Sequence, residues 1–176
     1  MCYFFKLTIY GKKTIKNKLK LKTIDKIVCN SIFTKNVIDR CLGVNSIVIY
    51  PPVDVEALEP MLKKNIILSV GRFSQLLQDK KQDVLIDVFK KIINEKKIKG
   101  WKLIIAGGSE VGSTEYLTRL RGASNNFPIE IIENPSFKEL KKLYGEAKIF
   151  WTASGYGVDE DEEPQRVEHF GMTTVE

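Results

Sequence analysis

The stretch Asn65-Ile66-Ile67-Leu68-Ser69-Val70-Gly71-Arg72 decides the fold. Its apolar residues follow one another without alternation, and a glycine ends the run at once. A strand with one face in water alternates polar and apolar side chains, whereas a strand covered on both faces reads as a continuous apolar run. Residues 65–70 therefore predict a strand buried between two layers. The same reading predicts strands over 101–106, 129–132 and 148–153. Between them lie three amphipathic helices. Gln82–Glu95 carries Val84, Leu85, Val88, Phe89, Ile92 and Ile93 on one face. A second, capped by Ser113, carries Tyr116, Leu117 and Leu120. A third opens on the capping box Ser136-Phe137-Lys138-Glu139 and carries Leu140, Leu143, Tyr144 and Ala147. Buried strands alternating with helices imply a parallel sheet, and right-handed crossovers make it a Rossmann-like, doubly wound α/β fold. Ligands of such sheets bind beyond the carboxyl ends of the strands.

Upstream, Ile24–Cys29 predicts a strand, Asn30 or Ser31 a helix cap, and Gly43 the stop of a helix bearing Phe33, Val37, Ile38, Cys41 and Leu42. Ser46–Tyr50 is a second β-branched run, and Pro51-Pro52 ends it. Residues 1–50 thus contain a short β-α-β piece, 51–64 a linker and 65–176 the main domain.

The charge is unevenly placed. Seven of the 28 basic residues fall in residues 1–24, which hold no acid, so the rest of the chain has 21 basic against 22 acidic residues. The formal charge of +6 reports a lysine arm (Lys6, Lys12, Lys13, Lys16, Lys18, Lys20, Lys22) and not a basic face on the fold. No nucleic-acid partner is expected on that ground. An arm of this kind suits the surface of an anionic membrane, although most such runs are only solvated. No apolar run approaches the roughly 20 residues that span a bilayer, and the first residues lack a signal-peptide cleavage region. The expected location is the cytoplasm, with peripheral membrane contact through residues 6–22. Cys2, Cys29 and Cys41 have no metal-binding spacing and read as buried thiols. Asp159–Glu163 is a run of five acids without the spaced ligands of a calcium loop, so no metal is expected. His169 is the only histidine and no G-x-S-x-G pattern occurs, which disfavours hydrolase chemistry.

Chemistry gathers at strand ends. Gly71 permits close backbone approach, and Arg72 offers a planar fork of donors suited to phosphate. Lys80 or its neighbour Lys81 stands just before a helix and adds a point charge. Gly107-Gly108 lacks the full dinucleotide fingerprint and reads as a strand-to-helix turn. Asn134-Pro135-Ser136 reads as a turn and a cap. At the end of the chain, Glu168-His169-Phe170-Gly171-Met172-Thr173-Thr174-Val175-Glu176 reads as a loop entering a helix, with a carboxylate at the mouth and another about one turn inside. Free N–H groups and the helix dipole favour phosphate at such a mouth.

The last stretch resembles the E-x7-E signature of family-4 glycosyltransferases, retaining enzymes of the GT-B fold. Cys29-Asn30-Ser31 through Tyr50-Pro51-Pro52-Val53-Asp54 resembles the end of that family's N-terminal, acceptor-side domain. Gly71-Arg72 followed by Lys80 resembles its diphosphate-binding set, where Lys80 fits better than Lys81. The likeness spans roughly residues 24–176. It implies transfer of a hexosyl group from a nucleotide-diphosphate sugar to a glycan or lipid-linked acceptor, as in polysaccharide biosynthesis, without metal or other cofactor. It implies that Arg72 and Lys80 neutralise the leaving diphosphate, that Glu168 orients the sugar and stabilises positive character at its anomeric carbon, and that Glu176 holds the ribose. Gly71, Gly107, Phe170, Gly171, Met172 and Thr173 would line the donor cleft, with backbone N–H groups near Phe170–Thr173 assisting. The chain departs from the family where His169 and Lys81 replace usual glycines, in the acidic insertion, and in lacking most of the acceptor domain and the last elements of the donor domain. Those gaps lead us to expect a truncated chain with negligible turnover alone. A non-catalytic nucleotide-binding module and a GT-B nucleotide-sugar epimerase are the alternatives.

Overall fold

The computed structural model describes residues 21–75, 78–95, 97–110 and 112–176. The lysine arm up to Lys20, and Cys2 with it, lies outside the described residues. The chain divides into two compact units between Pro51 and Pro52.

In the first unit, strands β1 (Val28–Cys29) and β2 (Ile47–Val48) pair in parallel across helix α1 (Ile32–Leu42). Both strands are shorter than the sequence predicts: flanking residues such as Ile49 and Tyr50 are exposed, and no further strand pairs with them among the described residues. The helix limits follow local chemistry. The Ser31 hydroxyl accepts from the Thr34 N–H at 3.0 Å, and Gly43 takes the left-handed conformation and donates its N–H to the Asp39 carbonyl. Cys29 is buried and donates to the Ser46 hydroxyl, whereas Cys41 is only half-buried, contrary to the expectation of buried thiols.

The second unit is built on a parallel sheet of β3 (Lys64–Val70), β4 (Lys102–Gly107), β5 (Ile129–Glu133) and β6 (Ala147–Phe150), in the order β5-β4-β3-β6. Helices α2 (Gln82–Asn94), α3 (Thr114–Ser124) and α4 (Phe137–Glu146) connect them, and α5 (Met172–Val175) ends the chain. Each central strand is buried on both faces. Ile67, Leu103 and Ile105 pack against Phe89 and Ile86 of α2 and Tyr116, Leu117 and Leu120 of α3. Their neighbours Ile66, Leu68, Ile104 and Ala106 face Leu140, Leu143 and Tyr144 of α4. Helices on both faces of a parallel sheet make the expected doubly wound α/β architecture.

Several local expectations change. The buried face of α2 is Gln82, Leu85, Ile86 and Phe89, and Val88 is 43% exposed. Ile86, not Val88, meets the sheet because the helix is turned slightly from its most apolar stripe so that Gln82 can reach inward. Ser113 does not cap α3 with its oxygen; its hydroxyl donates instead to the Glu110 carbonyl at 2.7 Å. Ala147 begins β6 and does not continue α4. The last strand stops at Phe150, short of Ala153. The Ser136 capping box forms as predicted, with hydroxyl and carboxylate bonds in both directions. Between the units' boundary and β3, residues 55–57 make a 3-10 turn, and the Met61 N–H bonds to the Gly145 carbonyl at the end of α4.

Candidate functional site

The strand order reverses beside β3: β4 and β5 are added on one side, and β6 lies on the other. Such a reversal leaves a crevice beyond the carboxyl ends of the two strands that flank it. The loop after β3 carries Gly71, Arg72 and Lys80. The loop after β6 carries Glu168 and Gly171.

The floor of the crevice is backbone against backbone. The Gly71 N–H donates to the Ala106 carbonyl and the Phe73 N–H to the Gly108 carbonyl, each at 2.9 Å. This pairing holds the Gly71 carbonyl so close to Gly107 that a Cβ there would lie 1.9 Å from the oxygen. A Cβ on Gly71 would meet the Lys80 stem at 2.9 Å. Gly107 is therefore required by close approach to main chain, whereas a side chain at Gly71 would displace the Lys80 stem. Phe73 is fully buried beneath the loop. The carbonyl of Asn134 is not involved here; its N–H donates to the Gly107 carbonyl and its side chain binds Ser109, so Asn134 closes the next turn.

Lys80 crosses this floor and meets Glu168, Nζ to Oε2, at 2.5 Å. Lys80 is 19% exposed and Glu168 32%. Burial pushes the Glu168 carboxyl up. The Lys80 hydrogen bond and charge, with the N–H groups of Gly171 and His169, outweigh burial and leave it below the usual carboxylate range. Those two N–H groups both donate to Oε1 at 3.2 Å. Gly171 has a positive φ, and a Cβ there would touch the Glu168 side chain at 3.4 Å. The motif at the end of the chain thus wraps its own first carboxylate.

Lys81 takes no part. Its φ of 51° places it in the left-handed region ahead of α2, and its ammonium lies 3.5 Å from Asp79. Arg72 leans to the other side of β3, where Nη1 pairs with Glu110 of the loop after β4 at 2.6 Å. The two cations therefore flank the end of β3, Lys80 towards β6 and Arg72 towards β4. Glu176 is exposed and accepts from the Tyr144 hydroxyl at 2.8 Å. That contact and burial push the Tyr144 phenol well up. Phe170 is half-buried, Met172 is exposed and Thr173 intermediate. The single histidine is structural: Nδ1 accepts from the Gln78 amide and Nε2 donates to the Pro164 carbonyl, each at 2.9 Å, which sets the tautomer.

Two participants escaped the sequence reading. Glu110 is one acid in a turn, with nothing to mark it. Gln82 is 1% exposed, and its amide nitrogen donates to the Arg72 carbonyl at 3.0 Å while its oxygen accepts from the buried Tyr116 hydroxyl at 2.9 Å. A glutamine at the first position of an apolar helix face was the available signal. The acidic run 159–163 folds on itself, Asp159 accepting from the N–H groups of Asp161 and Glu162, and Glu163 pairing with Arg166. Among the described residues no cluster of three or more metal-ligating side chains occurs, and no helix is long and apolar enough to cross a membrane.

Residues 53–176 match the family model described as glycosyl transferases group 1. No curated protein matches the chain.

Proposed function

Because this chain belongs to the glycosyl transferases of group 1, we propose that its crevice binds the diphosphate of a nucleotide sugar, and that the whole enzyme transfers a hexosyl group with retention, in the manner of family 4. The acceptor is a glycan or lipid-linked sugar. The observation that supports this most is the meeting of Lys80 and Glu168 across the strand-order reversal, with Arg72 on the other flank.

The chemistry follows from charge. Departure of a nucleoside diphosphate leaves negative charge on its oxygens and positive character on the sugar's anomeric carbon. Lys80 and Arg72 meet the first, and the Glu168 carboxylate meets the second. Glu168 suits that role as a carboxylate that the N–H groups of His169 and Gly171 continue to hold at one oxygen. An incoming diphosphate replaces Glu168 as counter-ion to Lys80 and releases the carboxylate towards sugar hydroxyls. Glu110 yields Arg72 in the same way. Glu176 serves the ribose by leaving the Tyr144 hydroxyl. Retention follows if the acceptor attacks from the face the diphosphate leaves.

Calorimetry with nucleosides and their mono- and diphosphates tests this reading. Diphosphates should bind more tightly than monophosphates, and Lys80→Ala and Arg72→Ala should each reduce the difference. Equal affinity for mono- and diphosphates, or a preference untouched by Lys80→Ala, would refute it.

A further inference from the structure

We propose that Gln82, held by Tyr116, is the positioning residue that sets the spacing of the two cations of the diphosphate site. The inference rests on the function proposed above and assigns that site a buried support beneath its charged surface.

A buried amide is costly unless its donor and acceptor are both satisfied. Gln82 is buried to 1% exposure and is satisfied on both sides. Its partners fix which end is which. The Arg72 carbonyl can only accept, so it faces the amide nitrogen, and the amide oxygen then accepts from Tyr116. The same Arg72 carbonyl also accepts from the Ser74 N–H at 3.0 Å, so the turn after β3 is tied at one oxygen from two directions.

The position of Gln82 in the chain gives the bond its consequence. Gln82 is the first residue of α2, two residues after Lys80. Its backbone therefore carries Lys80, and its side chain holds the main chain of Arg72. One residue links the two cationic segments through a bond of 3.0 Å, across a loop of which residues 76 and 77 lie outside the described part. Tyr116 belongs to α3; its hydroxyl orients the Gln82 amide and also meets the backbone N–H groups of Gln82 and Asp83 at the start of α2. Removing its hydroxyl leaves the amide nitrogen bond possible but free to turn.

The test uses the 176-residue chain, with calorimetric titration of a nucleoside diphosphate and of the matching nucleoside. Gln82→Met keeps length and volume and removes both bonds; Tyr116→Phe removes one hydroxyl. We expect about a tenfold loss of diphosphate affinity in Gln82→Met and about threefold in Tyr116→Phe, with nucleoside affinity unchanged. The loss in the double variant should fall short of the sum of the two single losses, since part of Tyr116's hold on α2 runs through the amide. General loosening of the core would instead weaken nucleoside and diphosphate alike, and the losses would add; that pattern overturns the assignment. Should Gln82→Met fail to fold, wild-type affinity for the diphosphate in a folded Tyr116→Phe also overturns it. Absence of diphosphate preference in the wild-type chain would instead strike the proposed function, and this inference with it.

Discussion

Gly107→Ala should separate the two strands that form the floor of the crevice. The added methyl would lie 1.9 Å from the Gly71 oxygen and 2.7 Å from its carbonyl carbon, where real side-chain carbons come no closer than 3.0 Å. Gly107 does not have a positive φ, so the substitution brings no backbone strain of its own and the whole effect is steric. The obstacle is main chain, which cannot swing aside as a lysine stem can. Relief needs the ends of β3 and β4 to part by at least about 1.1 Å. That movement stretches the Gly71–Ala106 and Phe73–Gly108 bonds, both 2.9 Å. Overpacking costs about 1–3 kcal/mol, and each weakened bond adds about 0.5–1.5 kcal/mol. A loss of about 2–6 kcal/mol is expected from these together. Urea denaturation of the 176-residue chain measures it as a fall in midpoint at unchanged slope. Wherever the variant still folds, its diphosphate affinity should fall too, because Arg72 follows the displaced carbonyl. A variant within about 0.5 kcal/mol of wild type, with undiminished affinity, would refute the close approach on which the site is built.

The matching control is Gly122→Ala in α3: nothing lies within 4 Å of the new methyl, so helix propensity should raise stability by about 0.5–1 kcal/mol in the same urea assay. Ser136→Ala removes the hydroxyl half of the capping box, leaving the backbone N–H bond to Glu139, and should cost about 0.5–2 kcal/mol, again read from the urea midpoint. Glu168 has a lowered pKa in the fold, so its contribution is complete above the unfolded carboxylate value of about 4.3 and is lost as pH falls through the lower folded value. The urea midpoint of wild type should therefore exceed that of Glu168→Gln at pH 6, with the gap closing towards pH 3; a gap constant with pH would contradict the ionised pairing with Lys80.

The parts of the fold that could be read from sequence were those set by local rules. Ile66–Val70 and Leu103–Ala106 are apolar on both faces because helices cover both, and a run of that kind has few other readings. Ser31, Gly43 and Ser136 mark helix ends because each satisfies backbone groups within a turn of itself. The site residues were legible in part for another reason, the resemblance of a spaced glycine, arginine, lysine and glutamate set. What composition and spacing did not yield were contacts between loops far apart in sequence. That Lys80 and not Lys81 reaches Glu168 is one such contact. The Arg72–Glu110 pair and the Gln82–Tyr116 bond join residues 38 and 34 positions apart, and no periodic pattern links them. The rotation of α2 that buries Ile86 in place of Val88 has the same origin, since a polar residue, Gln82, lies on the buried face.

The two sides of the crevice are held by different means, and this bears on how it can work. On the β3 side, Gly71 is locked against Gly107, Phe73 is buried, and the Arg72 carbonyl is tied to Gln82. These restraints are backbone contacts and buried bonds, so the main chain that carries Arg72 is held in place, while the guanidinium itself is exposed. Glu168 comes instead from a loop that runs from the end of β6 through residues 151–167. Its position depends on Lys80, on two N–H groups of its own motif and on the Gln78–His169–Pro164 bridge. Every one of these is a polar contact that another polar group can replace. If a diphosphate binds as proposed, it competes for Lys80, and the loop's remaining anchors, the buried Pro164 and Val167 among them, then decide how far Glu168 moves. On that proposal the side that holds the negative leaving group is the one with the fixed main chain, and the side that follows a changing sugar is the one whose polar ties can exchange.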